Sequence, residues 1–278
     1  MASPENGGAL PNLIIIGAQK CGTTSLHSYL SKHPEVSMSE PKELNFFIDR
    51  PAPHSTWDNG VDWYKARFDA SKKVRGDASP NYTASPAFPG VAPRMAELVP
   101  DAKLIFMVRD PIKRMRSQWI HNYARRNTSK PMREALLTSP IYVSRSRYME
   151  QLNHFLEFYP RERILILEQG ELLHERKETL VRVFDFLEID NTFWHPHFSE
   201  ERLKSDGRKR KSWVEEKLGS DRWKDLPDWI RKSRWVKRRE FDQPPIPEDL
   251  HAELAKRIED DVARFREFTG RQFRTWSV

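Results

Sequence analysis

The chain has 278 residues, 38% of them apolar and 31% charged, and carries a formal net charge of +7. That composition excludes a disordered chain, and no apolar run approaches the length of a helical membrane span, so one soluble α/β core with decoration is expected. The single cysteine, Cys21, excludes an intramolecular disulfide and a multi-cysteine zinc site.

Met1 to Pro11 has neither the basic region nor the apolar stretch of a secretory signal, so a cytoplasmic location is expected. A soluble piece of a larger membrane-anchored protein would read the same way. Asn12 to Gly17 is a short β-branched run closed by glycine and predicts a buried strand. Thr23 to Lys32 predicts a helix with Leu26, Tyr29 and Leu30 on one face, stopped at His33-Pro34. Phe47 to Pro93 is irregular and proline-rich and reads as loops over the functional edge of a sheet. Leu104 to Val108 is a second buried strand. It leads through Arg109-Asp110-Pro111 into a helix that runs to about Arg126, with Pro111 in its first turn.

Arg147 to Tyr159 predicts a third helix, Arg163 to Leu167 a third strand, and Leu172 to Leu187 another helix. A last helix is expected from about Pro247 to Phe268. Strands alternating with helices imply a central parallel sheet covered on both faces, a three-layer α/β fold of P-loop type in a single domain spanning 1–278. Ser205 to Pro247 is basic, holds four tryptophans and reads as a helical insertion or lid within that domain. Between Arg202 and Arg239 there are 15 Lys/Arg against 6 Asp/Glu, a net of +9, which leaves the rest of the chain near −2. A charge excess gathered in one segment points to an anionic partner or to a solvated helical face.

The sharpest chemical signal is Gly17-Ala18-Gln19-Lys20-Cys21-Gly22-Thr23-Thr24, set between a strand and a helix. Glycines let backbone N–H groups curl around an anion, and the helix N-terminus adds free donors and a positive dipole end. Lys20 brings a full charge and the threonines bring hydroxyls. The spelling differs from a nucleoside-triphosphatase loop, in which lysine follows the second glycine and precedes Ser/Thr. That weakens a P-loop kinase or nucleotide hydrolase. A further alternative is a polyanion- or nucleic-acid-binding module built on 202–239.

The segment from Leu13 to Leu26 resembles the 5′-phosphosulfate loop of sulfotransferases that use PAPS (3′-phosphoadenosine 5′-phosphosulfate), and is most similar to the branch with the heparan sulfate enzymes and their bacterial relatives. The family's second signature, an arginine after a strand and then a serine, has its match in Arg109 and, eight positions on, Ser117. Pro41 to Phe47 is similar to the family's short acidic segment that ends in two aromatics. Gly76 to Tyr82 resembles its next loop, and Ser205-Asp206-Gly207-Arg208 its late Gly-Arg element. Gly270 to Trp276 looks like its C-terminal ending.

The resemblance implies transfer of a sulfuryl group from PAPS to a hydroxyl or amine of a carbohydrate, glycolipid or small metabolite. It places Lys20, Cys21, Gly22, Thr23, Thr24 and Ser25 at the 5′-phosphosulfate, Arg109 and Ser117 at the 3′-phosphate, and Gly207 and Arg208 over the donor. Lys20 would also offset charge on the bridging oxygen, and Glu43 would be the base; the other reading of Glu43 is a surface carboxylate paired with Lys42. Tyr82 packs near the site or in the core. No metal is expected, because the histidines show no ligand spacing, and no nucleic-acid partner is expected. One departure stands out: where the heparan sulfate enzymes carry a lysine that contacts the acceptor, this chain has Ala78, or Asp77 if the register slips by one.

Overall fold

The computed structural model describes residues 8–49, 55–199, 209–212, 215, 217, 226–227, 229–230 and 239–278. Among them, β1 (Leu13–Gly17), β2 (Val36–Met38), β3 (Val74–Ala78), β4 (Lys103–Val108) and β5 (Ile164–Glu168) form one sheet in the order β2-β3-β1-β4-β5. Every pairing is parallel. Successive side chains of a strand point to opposite faces, and all five residues of β1 are buried, so the sheet is covered on both sides. The expected three-layer α/β architecture is the one observed. No helix among the described residues is long and apolar enough to cross a membrane.

The order has a functional consequence. From β1 the chain moves out to β2 and back through β3, then crosses to the other side of β1 for β4 and β5. This reversal opens a crevice at the carboxyl ends of the strands, where ligands of open α/β sheets bind. The helices that frame it are α1 (Thr23–Leu30), α2 (Gly60–Lys65), α3 (Val91–Leu98) and α4 (Pro111–Ala124). Further along come α5 (Met132–Thr138), α6 (Pro140–Ser144), α7 (Tyr148–Leu156), α8 (Gln169–His174), α9 (Arg176–Leu187), α10 (Glu248–Lys256) and α11 (Glu259–Thr269).

Three expectations need correction. Phe47 to Pro93 is not only loop, since it holds β3, α2 and α3. The sequence of β3, Val-Arg-Gly-Asp-Ala, hides its strand because its core face carries a polar group. Asp77 is fully buried and accepts hydrogen bonds from Tyr82 at 2.7 Å, Ser79 at 2.8 Å and Tyr64 at 3.0 Å. The helix expected over Leu172 to Leu187 is two helices, α8 and α9, parted at Glu175. Glu168 and Glu171 close a capping box that starts α8 three residues early, at Gln169.

The last helix is likewise two, α10 and α11, parted at Arg257 and Ile258. Leu250, Leu254, Ile258, Val262 and Phe265 are all buried and keep one helical phase through the break, so periodicity does not report it. The break sets Asp261 in the first turn of α11, where its carboxylate accepts the backbone N–H groups of Met149 and Glu150 at 3.0 and 2.9 Å. That bond fastens α11 to the start of α7.

Of the basic insertion, only the ends and a few interior residues are described. Arg210 and Arg239 pair as an antiparallel bridge, and the Lys211 N–H donates to the Ala124 carbonyl at the end of α4 at 2.8 Å. Phe241 packs on Trp119 and Tyr123, and Arg116 donates to the carbonyls of Gln243 and Pro244. Both roots of the insertion are therefore seated on α4. Trp229, within it, is 75% exposed.

Candidate active site

A cleft of about 1140 Å³ lies over the carboxyl ends of the strands. The chain after every strand contributes to it: Gln19 to Ser25 (Cys21 apart) after β1, Pro41 to Asn45 after β2, Pro80 and Asn81 after β3, Arg109 after β4 and Gln169 after β5. His121, Asn122 and Arg125 of α4 and its end, Asn127, and Lys211 from the insertion complete one wall.

The loop after β1 is shaped for an anion. Gly22 caps α1 in the left-handed region, at φ 93°, with no side-chain cap. The backbone N–H groups of Gly22, Thr23 and Thr24 find no acceptor among the described residues. These are the orphan donors of a helix start, and they carry its positive dipole end. A Cβ at Gly17 would collide with the Thr83 hydroxyl, so glycine is required where the strand passes under the next loop. Lys20 follows at φ 75°, and Glu43 and Asn45 also take positive φ, at 67° and 52°. Non-glycine residues in this region carry backbone strain, and here three of them line one cleft.

Arg109 faces the loop from the end of β4. Its backbone is pinned by Tyr148, whose hydroxyl donates to the Arg109 carbonyl at 2.7 Å and receives the Arg109 N–H at 3.3 Å. Its guanidinium makes no hydrogen bond or ion pair among the described residues. The same hydroxyl lies 3.5 Å from the Cys21 sulfur, so one phenol braces both the loop after β1 and the arginine. Asp110 caps α4 through the Lys113 N–H at 2.9 Å, and its second oxygen accepts the Ser277 N–H at 2.7 Å. The C-terminal residues are thereby clasped beneath the cleft.

On the opposite side, the Glu43 N–H donates to the Ala78 carbonyl at 3.2 Å, which hangs the segment after β2 on the end of β3. The Glu43 carboxylate is half-exposed to the cleft and pairs with Lys42 at 2.6 Å. The basic neighbour that Ala78 does not supply is thus present on the adjacent residue. Among the described residues no group of three or more His, Cys, Asp or Glu side chains is placed to hold a metal.

The sulfotransferase domain family matches residues 10–243 of the chain, which takes in all five strands and every cleft residue. The chain belongs to the sulfotransferase family. Human heparan sulfate glucosamine 3-O-sulfotransferase 3A1 is 28% identical over 207 residues, which is 70% of this chain and 48% of that protein. The chain spans about half or less of the length of the curated relatives it matches. Among solved structures, a sulfotransferase from Alicyclobacillus acidocaldarius has a TM-score of 0.72 at 24% identity, covering 97% of this chain and all of that one. Mouse sulfotransferase SULT7A1, complexed with PAP, has a TM-score of 0.52 at 13% identity, covering 91% of this chain and 84% of that one.

Of the residues that the family signatures single out, Lys20, Gly22, Thr23, Thr24, Ser25, Glu43 and Arg109 meet at the cleft. Cys21 does not face it. Its side chain is fully buried against Tyr148, burial raises its thiol pKa, and its N–H donates to the Ala18 carbonyl at 3.2 Å, so the residue supports the loop from behind. Ser117 is 3% exposed on α4, one turn below His121 on the same helix face, and is not part of the lining. Gly207 and Arg208, and most of the 202–239 segment, lie outside the described residues. Tyr82 is a core residue bonded to Asp77.

Sequence reasoning missed the α4 wall. His121 and Arg125 follow Ser117 at one-turn spacing, with Asn122 beside His121, the pattern of a single polar helix face, and that signal was available. Asn45 and Asn81 carried no comparable signal, since asparagines in loops are usually turn formers.

Proposed function

We propose that the protein transfers a sulfuryl group from PAPS to a hydroxyl or amine of an acceptor, with Glu43 as the base. The carrying observation is the convergence in one cleft of the α1 N–H groups that have no acceptor among the described residues, together with Lys20 and Arg109, on one side and Glu43 on the other. PAPS, as substrate, supplies the sulfuryl group and a phosphate leaving group. The acceptor oxygen or nitrogen forms the new bond to sulfur while the bond from sulfur to the 5′-phosphate oxygen breaks, and PAP departs. Glu43 takes the acceptor's proton, and Lys42, paired with it at 2.6 Å, holds the carboxylate in place.

Catalysis of this kind is mostly positioning and charge stabilisation. The Gly22, Thr23 and Thr24 N–H groups hold the 5′-phosphate, Lys20 meets the charge that grows on the bridging oxygen, and Arg109 takes the 3′-phosphate. Similarity to heparan sulfate enzymes supports a carbohydrate acceptor. The kinase or hydrolase alternative has lost its ground, because the loop's lysine placement and the family membership agree.

The test is calorimetric titration with PAP on the wild type and on Lys20→Ala, followed by transfer assays with radiolabelled PAPS over a panel of sugar, glycolipid and phenolic acceptors. Binding by the wild type that weakens in the variant supports the reading. A folded wild type that does not bind PAP refutes it.

A further inference from the structure

Behind the cleft floor lie two arginines with no counter-charge. Arg114 is fully buried and donates to Ser146 Oγ, Gln118 Oε1 and the carbonyls of Gln19 and Tyr142. Arg145 is largely buried, its Nε has no partner, and its Nη1 donates to Gln19 Oε1 at 3.0 Å and Asn81 Oδ1 at 3.4 Å. Neither has a carboxylate within ion-pair reach among the described residues. Burial and then the charge of Arg114 bring the Arg145 pKa down to about 10, so Arg145 stays cationic at neutral pH; burial lowers that of Arg114 as well. Buried charges are ordinarily paired, and these two are compensated only by neutral oxygens.

The hydrogen-bond chemistry then runs in one direction. A guanidinium only donates, so Gln19 and Asn81 must both turn their amide oxygens toward Arg145. Their NH₂ ends point the other way. Asn81 Nδ2 donates to Asn45 Oδ1 at 3.3 Å, which in turn fixes the NH₂ of Asn45. Gln19 Nε2 and Asn45 Nδ2 have no acceptor among the described residues, and both residues line the cleft. Asn45 stands two residues from Glu43, and its N–H donates to the Ser79 hydroxyl at 3.0 Å, so both donors share the cleft with the Glu43 carboxylate.

We propose that Arg145 is a positioning residue that aims the amides of Gln19, Asn81 and Asn45 so that Gln19 and Asn45 recognise an anionic group, carboxylate or sulfate, carried by the acceptor. This rests on the sulfuryl-transfer reading and deepens it.

The test uses protein saturated with PAP and ligand-detected NMR with two probe pairs, glucuronate against glucose and glucosamine 6-sulfate against glucosamine. Charge-assisted hydrogen bonds give the wild type an expected preference of about tenfold for the anionic probe of each pair, and Arg145→Gln reduces it to within about twofold while the PAP affinity holds. Should Arg145→Gln fail to fold, Asn45→Asp keeps the shape and replaces the donating NH₂ by an oxygen, and it too removes the preference. A wild type without the preference, or folded variants that keep it, overturn the assignment. A variant that instead changes the ratio of PAPS to PAP affinity gives the amides to the donor's own sulfuryl group and also overturns it. Failure of the wild type to bind PAP at all refutes the underlying function instead.

Discussion

Arg109→Ala separates the roles in the cleft most cleanly. Tyr148 holds the backbone of residue 109 through both its N–H and its carbonyl, so truncating the side chain leaves the end of β4 in place. The guanidinium has no hydrogen-bond or ion-pair partner among the described residues, so its removal strands no buried carboxylate and stability is expected to change little. Under the proposed role, what is lost is a charge-assisted contact with the 3′-phosphate, worth about 1.5–3 kcal/mol, or about ten- to a hundredfold in affinity. Calorimetry with PAP and with AMP, which lacks the 3′-phosphate, isolates that term. PAP should weaken by the full factor and AMP by less than about threefold, so the variant loses most of its preference for PAP. Equal weakening of both ligands would refute the assignment of Arg109 to the 3′-phosphate. A fall of less than about threefold for PAP would show that the contact is not made.

Glu43→Gln should lower kcat by about 10²- to 10⁴-fold with PAP affinity unchanged; a loss of less than about tenfold would assign the base elsewhere. Tyr82→Phe deletes a donor to the buried Asp77 carboxylate and should cost about 1–3 kcal/mol, lowering Tm by several degrees in calorimetry. Burial raises the Cys21 thiol pKa, so its thiolate fraction at pH 8 lies below that of an exposed cysteine. A thiol reagent should therefore modify the native protein far more slowly than the unfolded one, and rapid labelling of the native state would contradict the packing described.

The parts of the fold that could be read directly were those where burial and period agree. Ile14 to Ile16 and Leu104 to Val108 are apolar because both faces of β1 and β4 are covered. β3 escaped because Asp77 replaces apolar contact with three hydroxyl donors, a compensation that only the assembled structure supplies. The α10/α11 break escaped because the apolar stripe runs through it in phase. In the site, Lys20, Thr23, Thr24 and Arg109 were legible because local order fixes them: a loop must follow β1, and residue 109 must stand where β4 ends. Arg145 was not, because its partners lie 126 and 64 positions away and nothing in its neighbours marks it as a charge without a counter-ion.

The brace behind the phosphate loop bears on the order in which the chain folds. The loop of residues 17–24 has its supports far along the chain: Tyr148 lies 127 positions from Cys21, Asp261 is 112 from Met149, and Ser277 is 167 from Asp110. Contacts of such separation close only after the loop entropy between them has been overcome, so they form towards the end of folding. The seat is therefore a late product of folding. A chain that has already formed β1, α1 and β4 still lacks the phenol and the Asp110–Ser277 clasp that hold the loop in shape.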